Sequence, residues 1–217
     1  MSPTLPGHAT FPDVFKPITL NRLTLRNRIF VPAHTTNFGE DHLPSQRHVD
    51  YHRERARGGV GAIIFEAIRV MDNTLGRPQG VSGYLPGAVE AYAAVAKAVH
   101  AEGAALIAQI CHMGRQIEGE FERTVSVLQA VRAAVGPDFC LGLRISAEEF
   151  MPGGLTLPMS QEIAVAAARA CPIDFIHVSH SAYHMSHSLG TQMADMAFGV
   201  AEFRALPQGI RQALRAA

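Results

Sequence analysis

The sequence predicts an α/β protein built on parallel strands: an incomplete (β/α)8 TIM-type barrel of about five strands with an N-terminal hairpin. Three observations predict it. Short aliphatic runs begin near residues 28, 62, 105, 139 and 175, at intervals of 34 to 43 residues. Apolar runs without polar alternation belong to parallel strands buried on both faces, and the segments between them carry helical periodicity, so strand and helix alternate. Polar side chains collect where the runs end: His34, Thr35, Glu66, Gln109, His112, Arg144, Ser146, His177 and His180. Working groups of barrels sit at that end of the strands.

Taken in order, residues 1–15 are Pro-rich and predict an irregular segment, and residues 16–217 form the partial barrel domain. ITLNRLTLRNRIF alternates apolar and polar residues about Asn21-Arg22, which predicts a hairpin. RIFVPA at 28–33 is the first barrel strand, followed by a helix near 45–57 and the strand GAIIFEAIRV at 61–70. A helix over 87–102 places Val89, Tyr92, Ala96 and Val99 on one face and stops at Gly103, before the strand ALIAQIC. Leu128, Val131 and Val135 form a helical stripe closed by Gly136-Pro137, which leads into FCLGLRIS. A helix over 160–170, the strand FIHVSHS and a helix near 198–216 complete the chain.

Composition narrows the function classes. Nineteen basic residues balance nineteen acidic ones, so no basic field recruits nucleic acid or an anionic membrane; a small-molecule substrate fits better. No segment reaches the roughly 18 apolar residues of a membrane span, and the first residues lack a basic and apolar leader, which predicts a cytoplasmic protein. Cys111, Cys140 and Cys171 match neither a zinc knuckle nor a redox pair and read as reduced thiols. No GxGxxG follows the first strand and no GxxxxGK[ST] occurs, which removes support for folds that hold phosphate on a glycine-rich helix start.

Several segments together, ITLNRLTLRNRIFVPAHTTNF, RHVDYHRERARGGVGAIIFEAIRV, AQICHMGRQ and AVRAAVGPDFCLGLRISAEEFMPGGLT, resemble the old yellow enzyme family of FMN-dependent NADH:flavin oxidoreductases. The resemblance is to its branch of amine demethylases and dienoyl-CoA reductases and covers nearly the whole chain after residue 10. It implies that Ala33, His34 and Thr35 run beside the isoalloxazine through their backbone, that Ala67 lies near its reactive edge, and that Gln109 and Arg144 face the pyrimidine end. The residue types suit those places. Hydride arriving at flavin N5 sends charge toward N1 and the C2 carbonyl, where a guanidinium favours the reduced form. A carboxamide matches an edge with C=O and N–H side by side. Thr35 stands where some relatives carry Cys, so FMN is expected to be noncovalent.

The chain departs from the family in two places. EGEFERT leads directly into VSVLQAVRAAVG, so one helix and one strand, with the substrate-anchoring His motif, look deleted near Thr124 and Val125. The final strands, with the loops that hold the FMN phosphate, are also absent. Charge-assisted hydrogen bonds contribute about 1.5–3 kcal/mol each, so their loss predicts weak FMN binding. The remaining strands could form one contiguous sheet but not the same barrel, and open edges favour self-association. His177, His180, His184 and His187 could suggest a metal, but only Glu66 offers a carboxylate from another strand end, and no metal ligand is assigned. His180 and Tyr183 are the candidates for substrate contact or proton delivery. Arg53, Arg55 and Arg57, interleaved with Asp50 and Glu54, read as a solvated outer helix face.

The reading is an oxidoreductase passing hydride between NAD(P)H, or an amine or enoyl substrate, and FMN, impaired by truncation. Its alternatives are a non-catalytic remnant that folds or self-associates and a His-rich metal-dependent hydrolase.

Overall fold

A computed structural model describes residues 7–71, 78–111, 120–182, 190–191 and 198–217. The chain divides into two compact units, Met1–Thr19 with Leu23–Ile117, and Leu20–Arg22 with Glu118–Ala217.

In the first unit a single helical turn, α1 (Pro12–Phe15), breaks the expected irregularity of the N-terminal segment. Pro12 presets the helical φ at its start, and Lys16 pairs with Asp13 at 2.6 Å. The expected hairpin follows as β1 (Ile18–Leu20) and β2 (Leu23–Leu25), with the Thr19 and Thr24 hydroxyls 3.1 Å apart. Asn21 takes the left-handed φ of 54° that asparagine tolerates. Next come β3 (Phe30–Val31), α2 (Gln46–Arg57), β4 (Ala62–Arg69), α3 (Ala88–Ala101) and β5 (Ala105–Cys111).

The order β3-β4-β5 is parallel, with Val31 opposite Ile63 and Ala62 opposite Ala105. β4 is buried from Ala62 to Glu66, as a central strand covered on both faces must be. Phe65, Ile63, Val95, Val99 and Val81 form the core of this unit. Gly61 is needed where β4 begins, because a Cβ there would strike the Asn27 carbonyl. Arg26 donates to the carbonyls of Ala56, Val60 and Glu102, placing its charge at the carboxyl ends of α2 and α3.

The second unit holds α4 (Glu120–Val135), β6 (Gly142–Ser146), α5 (Leu157–Ala170), β7 (Phe175–Ser179), a 3-10 turn (Glu202–Arg204) and α6 (Ala205–Ala216). α4 runs without a break through Thr124 and Val125, so the expected deletion point lies inside a helix. α5 begins at Leu157, earlier than its periodicity predicts, because the Glu148 carboxylate accepts the Leu157 N–H at 2.9 Å. α6 is shorter than expected, its first turn being replaced by the 3-10 turn.

β6 and β7 are parallel and in register, Gly142 opposite Phe175 and Ser146 opposite Ser179. A side chain at Gly142 would collide with the Phe175 ring. Among the described residues the ladders form a three-stranded and a separate two-stranded parallel sheet, in place of the single contiguous sheet that strand alternation suggested. Alternation fixes the order of elements but not which edges pair.

Candidate functional site

β3 ends at Val31, and the chain continues as a ribbon without regular structure over Pro32–Thr36, at the carboxyl end of that strand. Ala33 is half-buried, while His34 and Thr35 are exposed. Among the described residues, the backbone groups of Ala33 and Thr35 make no hydrogen bond. Ala67, half-buried on β4, lies directly opposite Gln109, half-buried on β5. A register irregularity between Ile64 and Ala67 creates that pairing. The structure therefore brings Ala33, His34, Thr35, Ala67 and Gln109 into one unit, the first three after the end of β3 and the other two on β4 and β5.

Beneath the ribbon lies a polar network that the sequence reading missed. Glu66 is 2% exposed. Its Oε2 accepts the Thr36 N–H at 3.0 Å, and its Oε1 accepts the Thr36 hydroxyl at 2.7 Å and His48 Nε2–H at 2.6 Å. His48 Nδ1 accepts the Ser45 N–H at 3.1 Å. A backbone amide can only donate, so Nδ1 carries no proton and Nε2 carries it. Burial raises the Glu66 carboxyl, but the hydrogen bonds from His48 and Thr36 outweigh it and leave the carboxyl below its ordinary range. A buried carboxylate thus sits among three donors without a partner cation.

A second contact holds the ribbon from outside. His34 Nδ1 lies 3.0 Å from the Pro32 carbonyl, and Nε2 lies 2.6 Å from the Tyr51 hydroxyl. The carbonyl requires the proton on Nδ1, so in the neutral ring Tyr51 donates to Nε2. The Arg55 guanidinium stacks over the Tyr51 ring, 3.2 Å from its centroid.

The helix whose charged residues were expected to form a solvated outer face has a buried side opposite it. Arg53 and Arg57 pair with Asp50 and Glu54 in solvent, as expected. His48, His52 and Ala56, spaced four apart, are buried. That spacing is the signal that could have found them. Both ring nitrogens of His52 lack a partner among the described residues. Burial first, then the neighbouring His48 and His34 rings and the Arg55 guanidinium, lower its pKa to about 4.

Arg144 and His180 belong to the second unit. Arg144, exposed on β6, lies opposite His177 on β7. Burial and the Arg144 charge hold His177 below its ordinary pKa. His180 packs against Phe203 with ring centroids 4.1 Å apart and meets the Ser181 hydroxyl at 2.9 Å. It borders a cavity of about 520 Å³ lined by Val178, Phe198, Phe203, Leu206 and Pro207. Burial lowers its pKa. Tyr183, His184, His187 and His112 lie outside the described residues. Among the described residues no group of three His, Cys, Asp or Glu side chains could hold a metal, and no helix is long and apolar enough to cross a membrane.

Comparison with solved structures gives the class of fold: the chain is similar to α/β structures of the old yellow enzyme type. A 2-naphthoyl-CoA reductase complex matches 94% of this chain and 45% of its own at a TM-score of 0.81 and 18% identity. The old yellow enzyme from Trypanosoma cruzi matches 94% and 87% at a TM-score of 0.68 and 16% identity. At those identities the likeness speaks for the fold. Residues 13–127 match the model of the NADH:flavin oxidoreductase / NADH oxidase family, and the chain belongs to that family of FMN-dependent oxidoreductases. The NADH oxidase of Thermoanaerobacter brockii is 27% identical over 82% of this chain and 41% of its own length. The N,N-dimethylglycine/sarcosine dehydrogenase of Chromohalobacter salexigens is 24% identical over 93% and 42%. The chain spans less than half the length of these curated relatives.

Proposed function

We propose that this chain is a partial FMN-binding oxidoreductase, an incomplete barrel of about five parallel strands that takes FMN noncovalently and weakly. The observation that carries the reading is that one unit holds both the ribbon at 33–35, where the backbone groups of Ala33 and Thr35 make no hydrogen bond among the described residues, and the cross-strand pair Ala67 and Gln109. Those residues fit a flavin. Ala33 and Ala67 are small enough to leave a ring face uncovered, the ribbon offers donors and acceptors in a row, and the Gln109 carboxamide matches a pyrimidine edge. For Arg144, in the second unit, the guanidinium role toward FMN is proposed from the family resemblance alone. Bound FMN would supply hydride transfer; the protein's part is to seat the ring and bias its charge.

The donor is proposed to be NAD(P)H and the substrate an amine or enoyl compound, a range in keeping with the names of the NADH oxidase and sarcosine dehydrogenase relatives. His180, and Tyr183 beyond the described residues, are proposed as substrate contacts. Two observations support loss of an internal repeat. The family match stops at residue 127, beside the junction at Thr124 and Val125. The alignment with the NADH oxidase runs over 274 positions, more than the 217 residues present, so the relative carries residues without a counterpart here. Impaired turnover is expected to follow, and self-association would cover apolar groups such as Ile110, 52% exposed on β5. The internal residues of the NADH oxidase without a counterpart here also favour a second reading, a non-catalytic remnant.

The visible spectrum of the purified chain, an FMN titration and anaerobic mixing with NAD(P)H test these together. Substoichiometric flavin with slow bleaching is expected. Full occupancy with brisk NAD(P)H oxidation would overturn the impairment, and no uptake at excess FMN would leave the remnant.

A further inference from the structure

We propose that Glu66 and Tyr51 are positioning residues that clamp the ribbon 33–36 at both ends, Glu66 from β4 through Thr36 and Tyr51 from α2 through His34. The inference rests on the FMN reading and names the groups that would make the ribbon a preformed surface for the ring.

Glu66 grips Thr36 at two points, the amide and the hydroxyl, so both the path of the backbone and the χ1 of Thr36 are fixed. His48 supplies the third donor, and its own orientation is fixed by the Ser45 amide at the start of α2. Burying an ionised carboxylate is a poor route to stability, because desolvation offsets much of what its partners return. What such a group does well is select one arrangement of the chain, and here every donor lies on the ribbon or at the start of α2. Two residues earlier, the Tyr51 hydroxyl reaches His34 Nε2 while the Pro32 carbonyl holds Nδ1. Arg55 covers the Tyr51 ring and donates to the Tyr51 carbonyl at 2.9 Å, which restrains the phenol. Thr35, between the two clamped residues, and Ala33, just before them, make no backbone hydrogen bond among the described residues. A segment held at two points with backbone groups left open meets a planar ligand without first having to be ordered.

The test uses the full chain and FMN itself. Affinity is measured by quenching of flavin fluorescence, and the absorption band shape of bound flavin is recorded at saturation, where loss of global stability alone does not move it. Tyr51→Phe keeps the ring and loses only the hydroxyl. Glu66→Gln keeps one oxygen to accept the Thr36 N–H and puts an NH2 where the other oxygen stood, so that donor faces donor at His48 Nε2–H. Weaker preorganisation is expected to lower FMN affinity about tenfold in Glu66→Gln and about threefold in Tyr51→Phe, each with an altered bound spectrum. Thr36→Val should follow Glu66→Gln, and Thr36→Ser should restore the wild-type values. If Glu66→Gln does not fold, Tyr51→Phe and Thr36→Val carry the test. FMN uptake with unchanged affinity and spectrum in these variants overturns the clamp alone. No uptake by the unsubstituted chain overturns the FMN reading and the clamp with it.

Discussion

The first unit buries a charge where the second leaves one near its rim. Glu66 sits 2% exposed among apolar strands and relies on three neutral donors, whereas Asp174 keeps 19% of its side chain exposed beside the Arg132 guanidinium at 2.9 Å. The apolar surroundings differ in the same sense. Phe65, Ile63 and two valines of α3 give the first unit a core of large side chains, while the second relies on Ala147, Ala164, Leu206 and Ile210 with a satellite around Leu128. A unit with a large apolar core can support a buried carboxylate that costs stability and fixes a loop. A unit with a smaller core uses its ion pair to tie chain segments together. The contrast places the shape-setting network in the unit that carries the proposed flavin ribbon.

The largest expected effect comes from the core that supports the network. Phe65→Ala removes a fully buried ring packed on His52 and Tyr92 and should cost about 3–5 kcal/mol. Amide hydrogen exchange locates the loss. Protection should fall in β4 and β5 with β6 and β7 little changed; equal loss in both would show the two units opening as one cooperative body and dissolve the comparison.

A pH effect should separate the units next. The folded pKa of His52 is about 4 against an ordinary value of 6.5, so between those limits the unfolded chain binds a proton that the folded chain refuses. Stability from this group is complete above pH 6.5 and falls as pH drops toward 4, by at most about 3 kcal/mol. Urea unfolding followed across that range should show the slope, and His52→Phe should lessen it, leaving a smaller slope of the same sign from His177 and His180. A slope unchanged in His52→Phe would assign it to other groups.

How much of this was legible in the sequence follows from what periodicity encodes. The run AIIFEAIR could only be a strand buried on both faces, and the order of elements came with it. The ribbon after β3 was marked by a strand ending in polar residues. His48 and His52 were hidden because α2 reads as charged all round, and two imidazoles at an interval of four do not look apolar. Glu66 showed only as a lone carboxylate, since its partners lie 18 and 30 residues away, and no local pattern records which side chains a strand register brings together. The split of the strands into two sheets was illegible for the same reason.

The smallest effect tests the rim pair. Arg132 extends from the last turn of α4 to the carbonyls of Phe139 and Pro172 and to Asp174, whose carboxylate also accepts the Leu141 N–H at 2.8 Å. One side chain thus ties the end of α4 to the starts of β6 and β7. Burial raises the Asp174 carboxyl, but the Leu141 amide and Arg132 outweigh it and hold the carboxyl below its ordinary range. Its contribution is therefore present above the unfolded pKa and is lost as pH falls through the folded value. Arg132→Met keeps the aliphatic stem and should lower protection of β6 and β7 by about 2 kcal/mol at neutral pH, the scale of hydrogen bonds to a charged group. The gap between variant and wild type should narrow in acid, where protonation of Asp174 has already removed its charge. A gap independent of pH would mean that Arg132 acts through its carbonyl contacts alone.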